Sequence, residues 1–348
     1  MSPVIVSFAV ESSSVTTIPF PAITICPPSD FRGNFSSSLT GIVHYFEEDE
    51  TNLKQKLMIT SLHQFCNINH DNNLNFKTCV SNQLSKLWTP FEDLFISCNW
   101  RDEQIPCSKL FTEVWTDEGI CYTFNMLEGN VHSSIKSELK SNKPERILGA
   151  GVKAGLQLVL NGTNAGAKMV CSKSSAGFMM DMHSSIDIPK VSQRVLKIPL
   201  NQELTVAVRP ILMSTSHLLV DYPSDVRQCY FDWEKNLQFF KNYTQINCEM
   251  ESLTNFTREM CGCVRIGMPF NNDTDICGLN KQTCAMEAEE KWTTHNWKMK
   301  LENHVKQKNF QNCLPSCSSI TYKEEICKND FFFNKNLEAL GKNYNENE

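Results

Sequence analysis

Cysteine is the residue with the most chemistry to offer in this sequence, with sixteen thiols among 348 residues. After the isolated Cys171 they crowd together as Cys229, Cys248, Cys261, Cys263, Cys277, Cys284, Cys313, Cys317 and Cys327. Thiols this dense either close disulfides in an oxidising compartment or ligate zinc. Cys261-Gly262-Cys263 with Cys277 and Cys284 offers four thiolates, but structural zinc sites favour cysteine pairs about two to four residues apart, so disulfides are the favoured reading. Asn-x-Ser/Thr sequons at Asn34, Asn161, Asn242, Asn255 and Asn272 point to the same export route and mark candidate glycosylation sites. No serine or cysteine nucleophile sits in a recognisable strand-turn-helix context, so the chain reads as a non-enzyme, with no catalytic residue, cofactor or metal assigned.

The net charge of −6 and the lack of a Lys/Arg run argue against nucleic acid and against an anionic membrane surface as partners. The acidic run Glu47-Glu48-Asp49-Glu50 reads as a solvated loop. No run of about twenty apolar residues is present, so no segment of the sequence reads as a membrane span. Met1-Ser2-Pro3 lacks the basic start of a secretory leader, and the apolar stretch Val4 to Val10 is short. Disulfides and sequons require export, so the expectation is that a piece preceding Met1 is missing from the sequence as given.

The elements that must position these cysteines follow from periodicity. Val4 to Val10 and Ile18 to Cys26 read as strands, the second closed by Pro27-Pro28. Leu84, Leu87, Trp88, Phe91, Leu94, Phe95 and Cys98, spaced by three and four, predict helix, with Pro90 as a kink or a new start. Residues 98–121 read as loop-rich, and residues 129–150 as an exposed insert. From Gly155 the period becomes two, through Leu156 to Leu160, Phe178 to Met182, Val195 to Pro199 and Leu204 to Val208, which predicts successive strands of one antiparallel sheet. A helix is expected from about Ala285 to Val305, with Trp292 and Trp297 as packing anchors rather than a nucleotide stack.

Several strings in this order resemble the extracellular domain of the degenerin/epithelial sodium channel superfamily, and most closely its pickpocket branch. They are Pro3-Val4-Ile5-Val6-Ser7-Phe8-Ala9, Ile18 to Cys26, Cys121-Tyr122-Thr123-Phe124-Asn125, Gly155 to Leu160 and the Gly177 to Pro189 segment with His183. Tyr222-Pro223-Ser224-Asp225-Val226-Arg227-Gln228-Cys229, then Cys261 through Pro269 to Cys277, and Cys313-Leu314-Pro315-Ser316-Cys317 with Tyr322 complete the match.

The resemblance implies an α+β, disulfide-rich clenched hand: an antiparallel β palm and β-ball, a helical finger and a helical thumb, with the transmembrane helices absent from this sequence. It divides the chain into a palm strand at residues 1–30, a finger at 31–125, β-ball and palm strands at 126–222, a cysteine-rich thumb at 223–320 and a return palm strand at 321–348, cut before the last palm strands and second membrane helix. It implies bridges Cys26 to Cys121, Cys98 to Cys107, Cys229 to Cys317, Cys248 to Cys313, Cys261 to Cys284 and Cys263 to Cys277. One further family bridge would join positions that here are Ser252 and Gln311, so both halves of one staple are missing. Cys66, Cys79, Cys171 and Cys327 remain, assigned as Cys66 with Cys79 and Cys171 with Cys327, for eight bridges and no free thiol.

The function implied is that of the extracellular part of an amiloride-sensitive-type sodium channel subunit, gated by ligand, protons or force, at the plasma membrane. Its partners would be sodium ions, homologous subunits in a homo- or heterotrimer and an unknown extracellular ligand. The alternative is a truncated, secreted disulfide-rich glycoprotein that modulates full subunits. Candidate gating residues are His183, Tyr222 and Pro223. Val226 stands where acid-sensing relatives carry tryptophan, and Glu92, Asp93, Glu287, Glu289 and Glu290 lie in the acid-sensing regions without matching a motif residue by residue.

Overall fold

Alternation of Ile23 and Ile25 with Ala22, Thr24 and Cys26 makes a strand with two unlike faces. In a computed structural model of the chain this strand, β1 (Ala22–Cys26), is wholly buried at the centre of a five-stranded antiparallel sheet. The structure describes residues 13–27, 64, 91–127, 143–162, 177–271, 274–302 and 313–331. The expected strand at 4–10, the stripe from Leu84 to Trp88, the acidic run at 47–50, Asn34, Asn272 and Gln311 lie outside them.

Chain order runs through α1 (Phe91–Leu94), β2 (Phe95–Trp100), β3 (Glu103–Gln104), α2 (Cys107–Leu110), β4 (Phe111–Thr116) and β5 (Gly119–Phe124). It continues with β6 (Leu156–Leu160), β7 (Gly177–His183), β8 (Leu196–Pro199) and β9 (Gln202–Met213). Last come α3 (Ser224–Arg227), α4 (Gln245–Cys261), α5 (Leu279–Glu302) and β10 (Ser319–Asp330). The large sheet has the order β4-β5-β1-β7-β8, a second sheet the order β3-β2-β6, and β9 with β10 forms a two-stranded ribbon.

Two expectations are corrected by this topology. The helical stripe stops after the single turn of α1, because Phe95, Cys98 and Trp100 join a strand whose backbone pairs with β6 from Phe95↔Leu160 to Trp100↔Leu156. The stretch taken as loop-rich holds the β4–β5 hairpin, turned with Gly119 at φ 109°. The period-two segments from 156 onward do form strands, but β6, β7–β8 and β9 belong to three different sheets. Periodicity reports which face of a strand is buried, not which strand lies beside it. Part of the expected insert is also docked: Phe20 N donates to Glu145 O at 2.8 Å, and Ile147 packs on the core.

The core lies on one face of the large sheet. Ile23, Ile25, Tyr122, Phe124, Phe178, Met180 and Met182 meet Phe95, Trp100 and Phe111, and the ribbon adds Val206, Val208 and Tyr322. Rings pack edge-on or stacked, as with Trp100 and Phe124 at 4.9 Å and Phe91 and Phe95 at 4.6 Å between centroids.

Helices α4 and α5 are held differently. Thr244 caps α4 by accepting from Asn247 N at 3.1 Å, and Gly262, at φ 69°, ends it with its N–H on Arg258 O. That turn sends the flanking cysteines to separate bridges, Cys261–Cys284 and Cys263–Cys277. These bridges remove the zinc alternative. Cys248–Cys313, Cys229–Cys317, Cys26–Cys121 and Cys98–Cys107 complete six disulfides among the described residues.

Cys327 is not bridged. It is a free thiol on β10 opposite Thr205, on a stretch of the strand, Lys323–Asp330, that is exposed throughout. The expected Cys171–Cys327 bridge, and with it the absence of any free thiol, is therefore overturned, while Cys66, Cys79 and Cys171 lie outside the described residues. No helix among the described residues is long and apolar enough to cross a membrane.

The bridges rank by loop length. Replacing Cys26 and Cys121, 95 residues apart, by serines is expected to cost on the order of 4 to 5 kcal/mol in the chain-entropy account, against about 2.5 kcal/mol for Cys98 and Cys107, 9 apart. Urea unfolding of the two double variants measures the order directly, and equal losses would contradict it.

Candidate functional site

The second face of the large sheet is polar and equally dry. Thr24, Thr123, Asp181 and His183 project from it, and all are at most 1 % exposed. They are covered by the segment Ser184–Ser192 and by the first turns of α4, which together form a buried joint between sheet and helix.

The joint is built from its hydrogen bonds. Asn247, in the first turn of α4 and 0 % exposed, accepts from Ile188 N at 2.9 Å and donates to Ile186 O at 2.8 Å and to Asn242 O at 3.2 Å. On the sheet side Asp181 Oδ2 accepts from Lys190 N at 3.0 Å, and Asp117, just past β4, accepts from the backbone and hydroxyl of Ser192. Lys190 Nζ reaches Glu249 of α4 at 3.6 Å, both side chains being nearly buried, and Asp187 bonds to the capping Thr244. One carboxamide thus ties the first turn of α4 to the loop and to the segment that precedes the helix.

His183 sits at the sheet end of this joint. Its Nδ1 lies 3.0 Å from Ser184 O, which only accepts, so Nδ1 carries the proton. Thr24 Oγ1 is placed to donate either to Nε2 at 2.9 Å or to Thr123 Oγ1 at 3.0 Å. When Thr24 donates to Nε2 the ring is neutral, with its one proton on Nδ1; when Thr24 donates to Thr123, Nε2 must donate to Thr24 and the ring is charged. Burial decides for the neutral ring, pushing the His183 pKa down to about 4, against the pull of Asp187.

Asp181 moves the other way. Burial pushes it up to about 6, Arg194 opposes this, and its Oδ1 has no partner. Burial likewise raises Asp187 and lowers Lys190. From the ribbon Tyr322 reaches in, donating to Pro19 O at 3.0 Å, with its phenol pushed up to about 12 by burial and then by Asp187.

Tyr222 and Pro223 belong to a second place. Tyr222 has an exposed ring, and Pro223 precedes α3, whose last residue, Arg227, is 2 % exposed. Arg227 donates to Tyr222 O at 2.6 Å and Cys229 O at 3.0 Å, pairs with Glu234 and lies 4.6 Å over the Phe231 ring. The two places are joined by a continuous run of contacts. Cys229 bridges to Cys317, Tyr230 pairs with Ser316, and Tyr243 donates to Leu314 O at 2.6 Å one residue before the cap of α4.

Of the acidic candidates, Glu289 pairs with Arg265 and Glu287 with Lys291. Sequence reasoning missed Asn247, Asp181 and Arg227 as organising residues. The signal was weak but present for Asn247, which stands three after Thr244 where a capped helix begins.

Such a molecule is a disulfide-rich α+β domain in which a buried polar joint ties a stapled helix to a sheet. The chain belongs to the amiloride-sensitive sodium channel family, whose model matches residues 1–348. It is 24 % identical over 355 residues to pickpocket protein 28 of Drosophila melanogaster, covering 93 % of this chain and 55 % of that protein. Sodium channel protein Nach of Drosophila ananassae is 24 % identical across 80 % of this chain and 54 % of its own length. Acid-sensing ion channel 4-B of Danio rerio is 24 % identical across 80 % of this chain and 45 % of its own. The chain spans about half the length of these relatives. It is a family of channels, not of enzymes.

The titrations oppose one another. His183, folded near 4 and unfolded near 6.5, withdraws stability as pH falls from 6.5 to 4; Asp181, folded near 6 and unfolded near 3.8, restores it over almost the same window. Asp181→Asn keeps an acceptor for Lys190 N and removes only the second effect. The variant is expected to exceed the native chain in thermal midpoint at pH 7 and to lose that advantage by pH 4. Asp187 and Glu324, both of which the Asp181 charge helps to raise, are held up less in the variant, which adds to the difference in the same direction, so a pH-independent difference would refute the assignment.

Proposed function

We infer that this chain is the extracellular part of a sodium channel subunit, acting with homologous subunits at the plasma membrane, and that the Ser184–Ser192 joint passes movement of the stapled helices to the sheet. In the clenched-hand terms of the family, α4 and α5 are the thumb, the large sheet and ribbon the palm, and β2, β3 and β6 the β-ball. Family membership supports the channel role, and the single observation that supports the transmitting role is Asn247, sealed between α4 and the loop with its carboxamide oxygen and nitrogen both engaged. A stimulus that shifts α4 cannot leave the loop in place without stranding buried polar groups, each worth about 1–3 kcal/mol. His183, Tyr222 and Pro223 then stand at the two ends of the transmitting path. Sodium crosses through membrane-spanning segments of the assembled subunits, while this domain sets their open and closed populations.

Co-expression of the intact gene with homologous pickpocket-type subunits, with whole-cell recording, tests the reading. An amiloride-sensitive sodium current is expected, and Asn247→Leu should shift its gating equilibrium roughly tenfold, since about 1.4 kcal/mol is a factor of ten, while surface biotinylation shows the variant delivered. Surface delivery without sodium current in any subunit combination would sink the channel role. An unshifted current in Asn247→Leu would sink the joint alone.

A further inference from the structure

The sequon Asn255-Phe256-Thr257 lies inside α4, not in a loop. Residues two apart in a helix point about 200° apart around its axis. Asn255 accordingly faces outward, its Oδ1 accepting from Arg258 Nη2 at 3.2 Å in an exposed contact beside exposed Glu259 and Met260. Thr257 faces inward, 0 % exposed, and its hydroxyl has no hydrogen-bond partner.

A sealed, unpartnered hydroxyl weakens a fold, and valine would fill the same space without that cost. The threonine of Asn242-Tyr243-Thr244 has a structural task, capping α4 and binding Asp187. Thr257 has no such task in the folded chain. The need that remains is the hydroxyl required two residues after an asparagine that accepts an N-linked glycan.

We propose that Asn255 carries an N-linked oligosaccharide, transferred before α4 packs. The carboxamide Nδ2 attacks C1 of the first sugar of a polyprenyl-diphosphate-linked oligosaccharide. The N–C1 bond forms, the C1–O bond breaks, the polyprenyl diphosphate leaves and the amide gives up one proton. Once α4 is packed its hydroxyl is out of reach, so folding closes the site behind the modification. The glycan then keeps the Asn255–Arg258 face of α4 in solvent and out of subunit contacts. This proposal requires passage through the secretory pathway and does not depend on conduction.

The test is glycopeptide mapping of the intact chain made in insect cells, with enzymatic deglycosylation in heavy-oxygen water to tag occupied asparagines. The expected result is a tagged Asn255 in the native chain and in Thr257→Ser, and no tag in Thr257→Val, whose thermal midpoint matches that of the deglycosylated native protein or exceeds it. Asn255→Gln, changed at the surface, supplies the unmodified reference should Thr257→Val fail to fold. An untagged Asn255 in folded native protein overturns the proposal. So does a tag that persists in Thr257→Val.

Discussion

Ionisable groups taken out of water must be paired, and the polar face of the large sheet places that demand at the centre of this molecule. Asp181 and His183 on β7, Thr24 on β1 and Thr123 on β5 share one face of three adjacent strands and are at most 1 % exposed. Burying unpaired charge costs several kcal/mol per ion, and the groups respond by shifting toward their neutral forms and by recruiting backbone donors. Lys190 of the Ser184–Ser192 segment supplies the donor to Asp181, and Asn247 helps hold that segment in its path by satisfying Ile186 and Ile188. Sheet, loop and helix are therefore mutually dependent through polar contacts that lose much of their value if any one element moves. A joint of this kind is stiff against small displacements and has few intermediate arrangements.

Covalent closure supplies what burial does not around α4 and α5. The apolar cluster between them is small, composed of Cys261, Cys263, Cys277, Ala285 and Ala288 with Phe256 and Cys284 at its edge. The bridges there add to what that small core contributes, by restricting the unfolded chain. Bridges also stand within the well-packed sheets: Cys26–Cys121 joins β1 to β5 on the polar face beside Val114 and Val191, and Cys98–Cys107 lies in the aromatic core.

Much of this was readable from residue order. The spacing of cysteines announced a stapled extracellular-type domain, and period-two runs found β6, β7, β8 and β9 near their observed bounds. Their assignment to three sheets was not readable, since alternation fixes a face and leaves the neighbour open. Cys327 was misjudged for a related reason: pairing it with Cys171 assumed that an unclaimed thiol must be bridged, whereas Cys327 is a free thiol on an exposed stretch of the ribbon. Asp181 falls on the other face of the alternation Phe178, Met180, Met182, where a polar residue reads as solvent-facing. Only the loop folded over it shows why a carboxylate can stand there. Arg227 was visible as part of a matching string, but its task is to gather carbonyls of Leu219, Tyr222 and Cys229, and backbone acceptors leave no trace in a sequence.

The missing staple shows how far such substitutions reach. Where resemblance implies a bridge from residue 252 to residue 311, the chain has Ser252, buried in α4 and accepting from Trp292 Nε1 of α5 at 3.1 Å. The hydroxyl thus tethers α4 to α5, a different partner from the one a cysteine would have held. A neutral buried hydrogen bond contributes about 0.5–1.5 kcal/mol net, against about 2–4 kcal/mol for a typical disulfide. It also breaks and reforms without redox chemistry. The α4–α5 pair keeps its covalent closure at the Cys261 end and gains a reversible contact in mid-helix, so any relative motion of the two helices has its fixed point at Cys261–Cys284 and its freedom toward Trp292.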